Sequence, residues 1–413
     1  MKQLRGWTTK KLSHIYRGQS KDRIVFLLSV PDKNSGLIIK LIQEYGDRLV
    51  IAYKEEAFEE VLRYQGMGAK VQSMEQSFWF YTRGIRLLTS AKMILVDNVY
   101  DFFGDLELSS DVSVIQLWHT NGSLKKFGAQ VNGWSEQSEE KKEKFRKATS
   151  MFTDFVVSSR KMGKVFERAF LAEASKIRVL GSLSTDIYFK EKFKKDARIE
   201  FHARFPELDG KKIFLYAPTN REGSINKLSL GFHQMEEVLT DSTFLFVKPH
   251  PTEKKCLENF GKFAHSSADL RGISLPILLA NVDVLITDYS SILFDYTLAN
   301  PYGKILFYDY DLTSYQKEIG LDEEFSNDLF GKLVTTQGEL MRALEEIIPQ
   351  EELVENLNFV TLNKRWNEKN DGNVTQRVFQ WIVQVESGME KFREENVNEN
   401  IFVEKFEDEK VTM

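Results

Sequence analysis

From Arg23 onward, short apolar runs alternate with segments of helical period, and this alternation limits the fold more than any other feature of the chain. Arg23–Val30, Arg48–Tyr53, Lys92–Val96, Val112–Leu117, Phe155–Val157 and Ile177–Leu180 read as strands. Ser35–Glu44, Phe58–Tyr64, Glu139–Thr149 and Arg160–Ala169 read as helices between them. Strands alternating with helices build right-handed βαβ units on a parallel sheet. The Lys/Arg-rich stretch Lys190–Arg204 and a turn at Pro206–Gly210 interrupt the pattern. It restarts with strands at Lys212–Tyr216, Phe244–Val247, Val282–Thr287 and Lys304–Tyr308 and helices at Gln234–Leu239, Ile292–Ala299 and Glu339–Ile348. Thr375–Val385 reads as a late amphipathic helix. The expected fold is α/β, two doubly wound, Rossmann-like domains facing a cleft, with a boundary near residues 187–206. Such sheets bind ligands outside their strand carboxyl ends.

Composition excludes several classes. Hydrophobic residues make up 42% of the 413, enough for two full cores, so the chain is neither disordered nor collagenous. Its single cysteine, Cys256, forbids an internal disulfide and suits a reducing compartment. No run approaches the roughly 20 apolar residues of a membrane span, and the chain reads as cytoplasmic. The formal net charge of −5 hides an asymmetry. Residues 1–23 hold seven bases and one acid, whereas residues 390–413 hold eight acids and four bases. The basic segment reads as an anionic-lipid contact or as a solvated terminus, and the acidic segment as a loosely packed tail. Between them, residues 24–190 and 191–362 form the two domains, and 363–389 form helices that pack back on the core.

Four segments follow predicted strands, where the cleft would form. In Val114–Lys126, His119 sits at a strand tip before Asn121-Gly122, a position suited to proton transfer or to a structural bond with its own loop. In Leu215-Tyr-Ala-Pro-Thr219-Asn-Arg221, a hydroxyl and a guanidinium suit a phosphate. In Lys248-Pro-His250-Pro251, two prolines stiffen a histidine beside a cation. In Thr287-Asp288-Tyr-Ser290-Ser291, a buried strand turns into a helix whose first amides and hydroxyls suit an anion. Asp288 is an alternative cap for that helix. Asp295, one turn into it, is placed to reach a hydroxyl of a ligand or to face solvent. Asp309-Tyr-Asp311 is a weak match to a nucleotide–metal acidic pair. There is no Gly-rich dinucleotide fingerprint, P-loop or metal-spaced His/Cys cluster.

The ordered set Trp118-His119, Leu124-Lys-Lys126-Phe-Gly128, Tyr216-Ala-Pro-Thr219-x-Arg221, Lys248-Pro-His250-Pro251 and Thr287-Asp-Tyr-Ser290-Ser291-x-x-x-Asp295-Tyr resembles the CDP-glycerol glycerophosphotransferase family, which primes and polymerises teichoic acids. Asp371-Gly372 and Arg377 extend the likeness. The resemblance implies a GT-B-like fold with an acceptor domain carrying His119 and a nucleotide domain. It implies catalytic roles for His119 and His250, and CDP-glycerol contacts from Trp118, Thr219, Arg221, Lys248, Ser290, Ser291 and Asp295. The implied donor is CDP-glycerol or a related CDP-polyol, and the acceptor a lipid-linked saccharide or polymer at the cytoplasmic membrane face. Cationic side chains and amide dipoles in such a site do not require a metal. Alternatives are CDP-ribitol as donor, a nucleotide-sugar glycosyltransferase, or a non-catalytic assembly partner. Two departures stand out. Trp118-His-Thr-Asn-Gly-Ser is a loop of the primase-like length, and Ser184 in Gly181-Ser-Leu-Ser184-Thr-Asp186 stands where the family often has arginine.

Overall fold

The computed structural model describes residues 2–16, 22–75, 78–219, 231–249, 263–326, 331–350 and 354–388. Arg221, His250, Cys256 and the acidic tail lie outside the described residues.

Seven parallel strands form the first sheet: β1 (Arg23–Leu28), β2 (Leu49–Tyr53), β3 (Lys70–Ser73), β4 (Ala91–Val96), β5 (Ser113–Gln116), β6 (Asp154–Val157) and β7 (Ile177–Val179). Their order is β3-β2-β1-β4-β5-β6-β7. The second sheet has β8 (Lys212–Tyr216), β9 (Thr243–Val247), β10 (Ser266–Ser267), β11 (Val284–Thr287), β12 (Lys304–Tyr308) and β13 (Lys332–Val334), ordered β10-β9-β8-β11-β12-β13 and also parallel. The central strands are buried on both faces, which is why they read as unbroken apolar runs. Strand order reverses between β1 and β4 in one sheet and between β8 and β11 in the other, so each sheet has a switch point.

The stretch taken as a break is a helix. Glu191–Arg204 buries Ala197 and Phe201 and packs on the helix Leu275–Ala280 of the second sheet. Phe193, Ala197 and Phe201 recur every four residues, but the charges between them mask the period. Much of the basic amino-terminal segment is a helix as well. Its helix, Lys2–Tyr16, buries Thr9 and Ser13 against Ile85–Thr89 and leaves Lys10, Lys11 and His14 in solvent.

The last helix, Val374–Glu386, returns to the first sheet and packs on Ser35–Tyr45. Asp186 accepts its first two amides, from Val374 (2.9 Å) and Thr375 (2.8 Å). A carboxylate there also opposes the positive end of the helix dipole. Arg377 donates to the carbonyls of Leu180 (2.7 Å) and Lys369 (2.9 Å) and pairs with Asp371. Gly181 has φ +108°, and a Cβ there would lie 2.5 Å from Val374 Cγ2 and 2.7 Å from the Lys369 carbonyl. These motif residues therefore dock the helix Val374–Glu386 on the first sheet. Gly181→Ala is expected to cost about 1–3 kcal/mol through overpacking and an unfavourable φ, read as a lower urea midpoint with an unchanged slope.

Candidate active site

Strand β5 delivers His119. The Gln116 side chain, buried at the strand end, accepts from the Trp118 amide (2.9 Å) and donates to the Asn98 carbonyl (3.0 Å). Trp118 takes φ +59°, a rare conformation for a bulky residue. That turn sends the indole downward and leaves His119 above it. The indole stacks on Phe127 at 5.3 Å, meets Phe166 and Phe170 edge-on, and donates its N–H to Thr120 (2.7 Å). Its ring lies 4.5 Å from that of His119. Trp118 thus supports the histidine from below, and its one donor is already engaged.

His119 Nδ1 lies 2.8 Å from the Asp97 carbonyl oxygen. A carbonyl only accepts, so Nδ1 carries the proton and Nε2 keeps the lone pair. Burial pulls the imidazole below its usual pKa; the Asp97 carbonyl and charge oppose this, and Lys33 and Lys125 add to the depression. A neutral ring with a free Nε2 is a competent base. The Asp97 carboxylate is fully buried and accepts from the amides of Ser29 (2.7 Å) and Val30 (2.8 Å), the Ser29 hydroxyl (2.9 Å) and Tyr100 (3.1 Å). Burial raises its pKa, and the bonds from Val30 and Ser29 oppose the rise. One residue thus ties the β1 loop to β4 at the switch point and orients the histidine.

The loop then crosses to the second sheet. Asn121 donates to Asp295 (3.3 Å) and Asn367 (2.6 Å), and accepts from Asn370 (2.7 Å), all buried. Asp295 therefore faces neither solvent nor an open cleft. Burial raises its pKa, while Lys33 and Asn121 lower it. Gly122 is required next: a Cβ there would lie 2.4 Å from the Phe294 ring. Beyond it, Lys126 N–H donates to the Gly320 carbonyl (2.9 Å), Asp322 N–H to the Leu124 carbonyl (2.7 Å), and Arg168 pairs with Asp322 (2.9 Å). The Leu124–Gly128 motif is thus the clamp between the two halves.

On the second sheet, Thr219 follows β8 at the switch point. Its amide (2.7 Å) and hydroxyl (2.6 Å) both donate to Asp288, which follows β11. The hydroxyl proton expected for a phosphate is committed to this bond, because Asp288 binds the β8 loop instead of capping its own helix. Ser290 and Ser291 stand half-buried at the start of Ile292–Ala299; Ser290 Oγ accepts from Ile292 N (3.4 Å), and Ser291 makes no cap bond. Lys248 follows β9, half-buried, its amide on the Tyr216 carbonyl (2.8 Å). Asp309 and Asp311 follow β12, and Asp311 accepts from Tyr289 (3.2 Å). Among the described residues no three His, Cys, Asp or Glu side chains are grouped to hold a metal.

Lys33 escaped the sequence reading. It lies on the β1 loop, half-buried, and its charge is felt at both His119 and Asp295, on opposite halves. Its only sequence signal is a position just beyond the first strand.

Residues 12–384 match the family described as CDP-Glycerol:Poly(glycerophosphate) glycerophosphotransferase. The chain belongs to this family. It is an enzyme of that transferase class with a GT-B-like fold. It is 27% identical over 368 residues to a teichoic acid glycerol-phosphate primase of Bacillus subtilis (strain 168), covering 88% of this chain and 92% of the relative. Its fold superposes on the wall teichoic acid polymerase TagF with a TM-score of 0.70 at 19% identity, over 94% of this chain and 98% of that one. A UDP-N-acetylglucosamine 2-epimerase described as putative, from Listeria monocytogenes, matches at 0.55 and 13% identity, over 90% and 98%.

Removing the Lys33 cation is expected to raise the His119 midpoint, which burial pulls below the ordinary imidazole value and Lys33 pulls down further. An NMR titration of the ring in Lys33→Met reads the shift; an unchanged midpoint means the two do not interact.

Proposed function

We propose that the protein transfers glycerol phosphate from CDP-glycerol to a hydroxyl of a lipid-linked acceptor in teichoic acid synthesis. The observation that carries this reading is the His119–Asp97 contact, which leaves Nε2 as a neutral base where the two halves meet. The acceptor oxygen attacks the phosphorus bearing glycerol, its proton passing to His119 Nε2. The bond from that phosphorus to the bridging oxygen breaks, and CMP leaves with the oxygen and the electron pair.

Negative charge grows on the departing phosphate, so cations and amides aimed at it supply the remaining stabilisation. We assign that work to Lys248, to Arg221 and His250, and to the amides and hydroxyls at Ser290–Ser291. Thr219 fixes the loop that leads to Arg221, and Asp295 holds the Asn121 side of the His119 loop. Trp118 supports the ring from beneath.

The acceptor sits at a membrane, and we assign the exposed face of Lys2–Tyr16, with Lys10 and Lys11, to the membrane surface. Among the described residues no helix is long and apolar enough to cross a membrane.

His119→Ala is expected to abolish CMP release from CDP-glycerol and lipid-linked acceptor while nucleotide binding, read by calorimetry, is retained. Loss of one base is expected to cost about 10²–10⁴-fold. Near-native turnover in that variant refutes the base assignment, and product mass separates one unit from many. Deleting residues 1–23 is expected to reduce flotation with anionic liposomes; equal flotation removes the membrane role.

A further inference from the structure

A concavity opens at the amino ends of the first sheet, at the opposite end of the strands from the candidate active site. A cavity of about 740 Å³ opens there, within the range of small-ligand sites. Its charged lining is four arginines, Arg23, Arg48, Arg83 and Arg86, against two carboxylates, Asp22 and Asp47. Arg23 opens β1 and Arg48 directly precedes β2, whereas Ser29 and Asp97 of the active site follow the carboxyl ends of β1 and β4. Six strand residues separate the two ends of β1, about 20 Å at roughly 3.3 Å per residue.

Both carboxylates are already answered. Asp22 pairs with Arg48 at 2.9 Å and Asp47 with Lys70 at 3.1 Å. Arg48 also holds Glu386 at 2.7 Å. Arg23 and Arg83 are exposed and make no side-chain hydrogen bond or ion pair among the described residues. Two guanidiniums without a counter-charge therefore face one concavity, with Arg86 one turn beyond Arg83.

The turn that presents them is built at a cost. Phe78 is 75% exposed at φ +61°, an outlier for a bulky side chain. Its neighbour Trp79 is buried, and a Cβ at Gly84 would lie 2.8 Å from that indole. Phe80–Gly84 is wound as a π-helix before Ile85–Thr89 begins, a geometry that recurs at functional sites. Arg83 and Arg86, three residues apart, thereby share one face.

We infer that this cavity binds a glycerophosphate-type anion, its phosphate forked by Arg83, Arg86 and Arg23. Guanidiniums pair bidentately with phosphate oxygens, and the volume admits the glycerol besides the phosphate. The ligand is either the headgroup of an anionic phospholipid or a soluble glycerol phosphate. The helix Lys2–Tyr16 packs on Ile85–Thr89 beside the cavity, so the control for bulk surface charge is taken from lysines elsewhere, Lys192 and Lys195 on Glu191–Arg204.

The full-length protein is tested in two arms. One is sedimentation with phosphatidylcholine vesicles with and without phosphatidylglycerol; the other is calorimetry with glycerol 3-phosphate. Arg83→Ala/Arg86→Ala is compared with Lys192→Ala/Lys195→Ala, which removes the same charge from an exposed helix outside both the cavity and the basic amino-terminal helix. The cavity variant is expected to weaken binding about fivefold per guanidinium, and the control by clearly less. Weakening confined to vesicles assigns a lipid headgroup, and weakening with glycerol 3-phosphate assigns a soluble ligand. Equal weakening by both variants, or no arginine-dependent binding in either arm, overturns the site. Phenylglyoxal modification of Arg83 and Arg86 in the native protein, read by mass spectrometry, should slow when ligand is present; no protection also overturns it.

Discussion

At the point where strand order reverses, each sheet carries an aspartate whose carboxylate accepts backbone N–H groups from the neighbouring strand's loop. Asp97 holds Ser29 and Val30 across the β4–β1 junction, and Asp288 holds Thr219 across the β11–β8 junction. A parallel sheet opens a crevice at its switch point, and the loops there have lost their ladder partners. The carboxylate replaces those partners and keeps the crevice lip in one shape. In the first sheet the same residue's carbonyl also holds Nδ1 of His119. A buried carboxylate is expensive unless saturated with donors, and Asp97 has four.

The two lips meet through side chains chosen for size and donor count. Asn121 offers two donors and an acceptor, and Asp295, Asn367 and Asn370 use all of them. A buried amide network of this kind is stabilising only when complete. It also fixes register between the halves, because a shift leaves buried polar atoms without partners.

Much of the architecture was visible in the sequence, since buried parallel strands such as Ile24–Leu28 and Val284–Thr287 are unbroken apolar runs. What escaped were elements whose sequence is polar for a physical reason. β3 (Lys-Val-Gln-Ser) and β10 (Ser-Ser) are edge strands with little apolar face. Glu191–Arg204 carries a narrow buried stripe among charges. In the candidate site, the placement of His119 just beyond a strand was legible. The true partners of Thr219 and Asp295 were not, because those contacts join segments far apart in the chain. Lys33 was hidden for the same reason. The glycines explained themselves only in three dimensions: Gly122 and Gly181 are close approaches of backbone to a side chain far along the chain, Phe294 and Val374.

The close approach of Gly122 to Phe294 couples the two halves. The histidine belongs to one half of the molecule, yet its loop is seated on the other. Packing at Phe294 therefore reaches the loop that follows His119, and a substitution in the second half that disturbs this seat acts on a segment of the first. The boundary between the halves is thus drawn by the sheets and not by the loops.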